Sequence, residues 1–254
     1  MAALSNRTRV PENMLRIQDL SELLKAQFFV ILKQACGKSV EKYWLTGVLP
    51  AFRDGISPLT ATQVISFEDE YHSLCGLTQD DVEAIVKRTL RDLPQSAQSS
   101  TLESLERWYD GYRFTNTSID SENLTLYNPQ LVFVHLRNVV SGRPPTSYIN
   151  EANAVHTSTV LSLVGETGPV TIHSLIDMLS SSVEAKISTK LSFEEIMRNE
   201  EIRPKNVTWS LLYYLGIATF HEDSDSLEEI DYLCAPNGTM AYLVSPRMSC
   251  LRER

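Results

Sequence analysis

The feature of this sequence that most constrains its fold is a helical pattern followed at once by one short block of strand-forming residues. From about Ile17 to Gln34, apolar residues recur at the spacing of one helix face. Residues 42–49 then combine aromatic and β-branched side chains, and Gly47 and Pro50 close the block, which is typical of a short buried strand. A helix joined to a buried strand predicts a parallel α/β sheet.

The middle of the chain predicts mostly helices. Thr78, with Asp81 three residues later, forms a capping box for a helix that runs to about Asp92. Residues 94–101 are rich in Ser and Gln and predict a surface connector, and residues 102–108 predict a second, short helix. The fold class is therefore α/β but mainly helical.

The rest of the chain predicts one more helix and then, from about Asn150, a small helical, winged-helix-like subdomain. Asn128 and Pro129 mark the start of a helix that runs to about Val140. Residues 232–235 and 241–245, separated by Pro-Asn-Gly, predict a terminal hairpin. Further helices are predicted near Ala152–Val164, Val170–Ser181, Phe193–Asn199 and Thr208–Leu215.

Composition excludes several classes of protein. The chain has 254 residues, of which 43% are hydrophobic and 22% charged, as in ordinary folded proteins. Its 32 acidic and 23 basic residues give a formal charge of −9, which repels phosphate backbones, so we expect no nucleic-acid partner. Neither a signal peptide nor an apolar stretch of about 20 residues is present. We therefore expect no membrane association and a cytoplasmic or nuclear location.

Local patterns of catalytic or metal-binding residues are weak. Gly37-Lys38-Ser39 matches the end of a phosphate-binding loop, but the glycine required five residues earlier is replaced by Leu32, inside a predicted helix. We interpret it as a helix end with a solvated lysine. The four cysteines form no C-x-x-C pair and the five histidines no i,i+4 pair, so we predict no metal centre. A triad hydrolase would depend on scattered Ser, His and Asp alone.

The aromatic block Trp108–Phe114 is unusually dense and allows two interpretations. It is either a packing cluster around a turn at Gly111, with Arg113 stacked on an aromatic face, or one wall of a ligand cleft. Packing is the favoured interpretation, and periodicity does not separate the two.

Four segments in a fixed order, residues 42–52, 71–78, 105–114 and 126–129, resemble the AAA-ATPase-like family of fungal and bacterial proteins. The match spans about residues 28–142 and continues more weakly through Leu-Leu-Tyr-Tyr-Leu-Gly at 211–216. The residues that carry it are Thr46, Gly47, Cys75, Gly76, Trp108, Tyr109, Gly111, Tyr112, Arg113, Phe114, Tyr127, Asn128 and Pro129.

The resemblance implies part of a P-loop NTPase core with a parallel sheet. In such a core Thr46 would end a strand at the place of a sensor residue, which contacts the γ-phosphate or orients the attacking water. Arg53, just beyond it in sequence, is a candidate for contacting phosphate. ATP and Mg²⁺ are the cofactors of full-length family members. The implied organisation is a non-matching segment 1–27, the C-terminal part of the ATPase-like domain at 28–145, and a helical subdomain at 146–254.

The expected phosphate loop and acid-bearing strand do not precede the matched region. The 27 residues before Phe28 contain no glycine, so no backbone cradle for a phosphate is expected there. We therefore expect no cofactor for this chain alone and interpret it as a fragment, a pseudo-enzyme or an interaction module. The alternative is part of a functional ATP-hydrolysing protein whose nucleotide-binding half lies outside this chain. An exposed edge of the predicted strand 44–48 also predicts self-association.

Overall fold

The computed structural model describes Asp19, Leu23, Gln63, Leu163 and Val164 and the ranges 25–50, 65–115, 125–143, 168–199, 201–224 and 231–242. These residues divide into two compact units, Met1–Gln63 with Thr189–Arg198, and Val64–Ser188 with Asn199–Arg254. Within them, helices predominate and three strands form one small sheet. No helix of the described ranges has both the length and the apolar character that crossing a membrane requires. The predicted boundaries after residues 27 and 145 stay predictions.

The first unit begins with the predicted helix. A π-helical turn, Lys25–Phe29, continues into α1 (Val30–Ala35). The chain then reverses at Gly37, whose φ is +76°, a conformation that glycine adopts without strain. The backbone N–H groups of Lys38 and Ser39 donate to the oxygen of Ala35, at 3.1 and 2.9 Å. Gly37-Lys38-Ser39 therefore closes a helix, as we interpreted it.

The predicted buried strand at residues 42–49 is wrong. These residues form an irregular segment, and Trp44 and Val48 are 61% and 66% exposed. Aromatic and β-branched residues fit a pleated, half-buried surface, but a strand also needs a neighbouring strand to pair with. Within the described ranges no strand pairs with this segment. A P-loop-like parallel sheet is not supported.

In the second unit, side-chain caps start two helices as predicted. Helix α2 (Gln79–Thr89) begins at the Thr78 capping box, in which the Asp81 N–H donates to Thr78 Oγ1 at 3.2 Å and the Thr78 N–H donates to Asp81 Oδ2 at 3.0 Å. The bonds that the N–H and the hydroxyl group of Thr78 donate to the Asp81 carboxylate lower the pKa of Asp81. The side chain of Asn128 caps a later helix (Pro129–Val140) in the same way.

The predicted surface connector at residues 94–101 is wrong, because helix α3 (Gln95–Tyr109) already begins there. Pro94 is compatible with this start. A proline has no backbone N–H, and an N–H at the beginning of a helix would have no partner within the helix. The hydroxyl groups of Ser100 and Thr101 donate to the oxygen of Ala97 within the helix. A polar composition here marks the solvent face of a helix rather than a loop.

Helices α2, α3 and α4 (Pro129–Val140) contact one another and enclose an apolar core. Its members repeat at helical spacing, so each helix contributes one stripe. The buried core residues are Val82, Val86, Leu90, Leu105, Tyr109, Tyr127, Leu131, Val132 and Leu136.

The second unit also contains the sheet. Strands β1 (Val183–Ala185), β2 (Thr219–Phe220) and β3 (Asp231–Cys234) are antiparallel, in the order β1-β3-β2. In the register, Val183 and Phe220 both lie opposite Leu233.

The helices of this part of the chain follow the predicted order. Helix α5 (Ile172–Ser180) contacts β1 and β3, and α7 (Lys205–Tyr214) contacts β1. The short helix α6 (Phe193–Ile196) belongs to the first unit. Predicted helix 152–164 lies almost entirely outside the described residues.

The first strand of the predicted terminal hairpin is confirmed, and the described residues contradict the start of the second. β3 agrees with the predicted strand, but residues 238–242 are helical where the second strand is predicted to begin. Asn237 starts this turn of helix, since its side-chain oxygen accepts from the N–H of Met240 at 3.2 Å. An Asn before Gly is favourable both at the start of a helix and in a turn. The dipeptide alone therefore does not distinguish a helix start from a hairpin turn.

The capping box of α2 provides a stability test. Replacing Thr78 by Ala removes the acceptor for the Asp81 N–H, and we expect a loss of about 1 kcal/mol in the free energy of unfolding. Urea denaturation measures it. Thr89→Ala, at the exposed last residue of the same helix, is the matched control and should change this free energy by less than about 0.5 kcal/mol. Equal effects of the two substitutions would contradict the capping role.

Candidate functional site

Three of the four segments that carry the family resemblance, residues 71–78, 105–114 and 126–129, meet in the second unit. Leu77 pairs with Tyr127, and Tyr112 pairs with Leu126, through antiparallel backbone hydrogen bonds of 2.9–3.2 Å. We call this arrangement the motif junction and define it by residues 76–77, 111–114 and 126–128. The residues that carry the resemblance in this unit are therefore neighbours in space.

Gly76 allows two of the junction's segments to approach closely. A Cβ atom at this position would lie 2.7 Å from the Cβ of Leu126, which is closer than side-chain carbons pack. The adjacent Cys75 is exposed and has a free thiol. The motif glycine is explained by packing, while nothing in the structure explains the choice of cysteine before it.

Gly111 has the most restricted position in the junction. Its φ is +112°, and a Cβ atom there would lie 1.8 Å from the backbone oxygen of Pro236. Both the backbone conformation and the space therefore require glycine. At this point the aromatic block leaves α3 and passes directly against the chain that follows β3.

Two threonine hydroxyl groups tie the aromatic block to the C-terminal elements. The Arg113 N–H donates to Thr219 Oγ1 at 2.7 Å, and the same hydroxyl group donates to the Arg113 oxygen at 3.0 Å. Thr239 Oγ1 donates to the oxygen of Trp108 at 2.6 Å. The block is therefore held at both ends by side chains more than 100 positions away.

The aromatic rings of the block pack against the protein. Tyr109 and Tyr112 are buried, and the rings of Tyr112 and Phe114 stack with centroids 6.3 Å apart and planes 16° apart. Burial raises the pKa of Tyr112 to about 12, so this phenol keeps its proton at neutral pH. These contacts are those of the packing interpretation.

The cation that lies on an aromatic face within this block is Arg107, 5.4 Å from the centre of the Trp108 ring. We expected this role for Arg113. The Arg113 side chain instead lies inside the protein near Glu222 and Cys234. Burial lowers the pKa of Arg113, and the negative charge of Glu222 partly offsets this effect.

The Leu-Tyr-Asn-Pro segment has structural contacts. The Tyr127 hydroxyl donates to Gln79 Oε1, and burial raises its pKa. Asn128 Oδ1 accepts from the Leu131 N–H at 3.3 Å, and Pro129 occupies the first turn of α4. This segment therefore joins α2 to α4 and starts the second helix.

The nucleotide-site candidates lie in the first unit. Thr46 and Gly47 are exposed in the irregular segment, so the expectation that Thr46 ends a strand is wrong. Its sensor role stays a prediction. Arg53 lies outside the described residues.

The described histidines have separate surroundings. His72 Nδ1 accepts from the Phe114 N–H at 3.4 Å, and His135 lies edge-on against the Tyr109 ring. His173 is exposed on α5, and His221 Nδ1 lies 3.1 Å from Asp223 Oδ2. Across the described part of the chain, no three His, Cys, Asp or Glu side chains are placed to hold a metal ion.

Sequence reasoning did not identify Thr219, Pro236 and Thr239 as partners of the block. They are remote in sequence, and single Thr and Pro residues carry no pattern that predicts a long-range contact. The position of Gly111 within an aromatic run was the one useful signal of these contacts, because such a glycine predicts a turn or a close approach of another segment.

Comparisons with known proteins find no relative. No family model matches the chain, and neither a curated protein nor a solved structure matches it. The AAA-ATPase-like resemblance therefore depends on the motif residues themselves.

The position of Gly111 provides a second stability test. Gly111→Ala adds a Cβ atom against the Pro236 oxygen and strains the backbone, and we expect a loss of more than about 3 kcal/mol in the free energy of unfolding. Thermal unfolding of the purified protein measures it.

Gly142→Ala is the matched control for this test. Gly142 also has a positive φ, +64°, but open space around its Cβ position, so the expected loss is only about 1 kcal/mol. Losses of the same size at the two positions would show that the approach to Pro236 contributes nothing.

Proposed function

We propose that this chain is an AAA-ATPase-like protein that does not hydrolyse ATP by itself and that acts by protein association through its first unit. The observation that carries the proposal is a run of exposed apolar side chains within 26 residues of the chain. We call them the apolar surface residues, and they are Leu23, Phe28, Ile31, Trp44, Leu45 and Val48.

The motif junction supports the family assignment. Its segments are separated by up to about 50 positions in the sequence, yet their backbones pair directly. Gly76 and Gly111 are required by contacts between these segments and their surroundings. A shared packing arrangement is a physical reason for such motifs to occur together.

The geometry of Gly37-Lys38-Ser39 supports the absence of independent hydrolysis. A phosphate-binding loop presents backbone N–H groups to the phosphates, whereas the N–H groups of Lys38 and Ser39 donate to Ala35. The parallel sheet that the family resemblance implies is not needed for an association role.

Exposure of the apolar surface residues is costly in water and favours a partner. Burying one large apolar side chain contributes about 1.5–3 kcal/mol, and clustered exposed apolar residues are typical of interaction surfaces. The two groups of residues lie on either side of the turn at Gly37, which the 3.0 Å bonds Gly37 N–H to Val40 O and Val40 N–H to Ala35 O close.

The distribution of charge along the sequence favours a second copy of this chain as the partner. Residues 23–48 contain four lysines and one glutamate, a net charge of +3. Because the whole chain carries −9, the other residues carry −12. A second copy therefore supplies acidic surface to the basic, apolar segment.

Sedimentation velocity over a range of concentrations tests this association. We expect the wild-type chain to self-associate, and Trp44→Ser with Val48→Ser to weaken the association at least tenfold. Ile202→Ser is the control, since Ile202 is 68% exposed but belongs to the second unit. A wild-type chain that stays monomeric, or equal weakening by the control, would contradict the proposal.

A thermal-shift measurement with ATP and Mg²⁺ tests the nucleotide part separately. We expect the midpoint of unfolding at millimolar ATP to be the same for the wild type and for Thr46→Ala. A clear rise that Thr46→Ala abolishes would instead identify a nucleotide site and overturn this part of the proposal, whatever the state of association.

A further inference from the structure

The side chain of Arg113 is buried, and the described part of the chain leaves its guanidinium incompletely partnered. Only 7% of the residue is exposed. Among the described residues none accepts a hydrogen bond from its Nε, and the ion pairs they form do not include it. Buried charges in proteins are ordinarily paired and hydrogen-bonded, so this guanidinium needs an explanation.

The backbone of Arg113 is held more firmly than its side chain. Its N–H and its oxygen both bond to the hydroxyl group of Thr219 on β2. The preceding Tyr112 pairs with Leu126, and the following Phe114 N–H donates to His72. The guanidinium therefore extends from a segment that is fixed on both sides, as binding groups usually do.

The groups facing Arg113 leave its charge incompletely balanced. Glu222, which follows β2, and Cys234 at the end of β3 are near enough to act on it electrostatically. The Glu222 side chain is exposed. Burial raises the pKa of the Cys234 thiol to about 11, so this thiol is neutral at pH 7 and supplies no negative charge.

We propose that Arg113 is the anchor of a binding site for an oxyanion, the carboxylate or phosphate group of a small ligand. The planar guanidinium presents N–H donors in the fork that matches two oxygens of such a group. An anion at this position supplies a negative charge beside the guanidinium and an acceptor for Nε, which none of the described residues provides. The site lies in the second unit and is independent of the association proposed for the first.

A thermal-shift titration tests the site with defined probes. We expect millimolar inorganic phosphate or acetate to raise the midpoint of unfolding by several degrees relative to chloride at equal ionic strength. The stronger of the two identifies the source of the oxyanion as phosphate or carboxylate. Non-specific salt effects are removed by comparing variants under the same conditions.

Arg113→Met is the decisive variant, because it keeps the length of the side chain and removes its charge. We expect it to abolish the anion-dependent rise and to melt no lower than the wild type in chloride, since a buried unpaired charge is lost. Arg88→Met, at an exposed arginine on α2, should keep the full rise. If Arg113→Met does not fold, Arg113→Lys, which lacks the fork, should at least halve the rise.

The alternative is that Glu222 is the partner of Arg113 in solution. In that case Glu222→Gln and Arg113→Met would each lower the midpoint in chloride by a similar amount, and neither probe would shift the wild type. That result would overturn the proposal. An equal anion-dependent rise in the wild type and Arg113→Met would overturn it as well.

Discussion

The close approach of Gly111 to the backbone oxygen of Pro236 is the constraint on which the second unit depends. At this point the chain leaving α3 passes against the chain leaving β3, in a space that admits no side-chain carbon. The hydroxyl groups of Thr219 and Thr239 hold the backbone on either side of the contact. The helical core and the antiparallel sheet are joined by this contact and these bonds.

The same contact determines what the aromatic block can do chemically. Tyr109 and Tyr112 are buried, and Tyr112 keeps its proton at neutral pH, so they act as packing groups. The segment that they hold in place carries Arg113 into the protein next to β2 and β3. Packing and ligand binding were alternatives for the whole block. The structure assigns packing to the tyrosines, and the ligand site that we propose belongs to the neighbouring Arg113.

Local features of the fold were predictable where a side chain acts on its own backbone. Thr78 with Asp81, and Asn128 with Pro129, start helices because each cap forms within four residues. Predictions failed where the outcome depends on distant partners. Residues 42–49 have strand-forming composition but no described strand beside them, and residues 94–101 are polar because one helix face meets water.

The candidate site was predictable only as a segment of sequence. The dense aromatic run and its glycine indicated a turn with packing around it, and the motif order indicated a family resemblance. Neither pattern indicated that Thr219 holds Arg113 or that Pro236 excludes a side chain at Gly111. The contacts needed the folded chain, because they join positions more than 100 residues apart.

By itself, the sequence determined the capped helices, the turns at glycines and the acidic charge of the chain, since these depend on neighbouring residues or on simple sums. Only the tertiary structure decided which apolar residues are buried, which strands pair and which cation lies inside the protein. Burial and strand pairing depend on two segments that come into contact. A local sequence pattern describes one segment and does not identify the other.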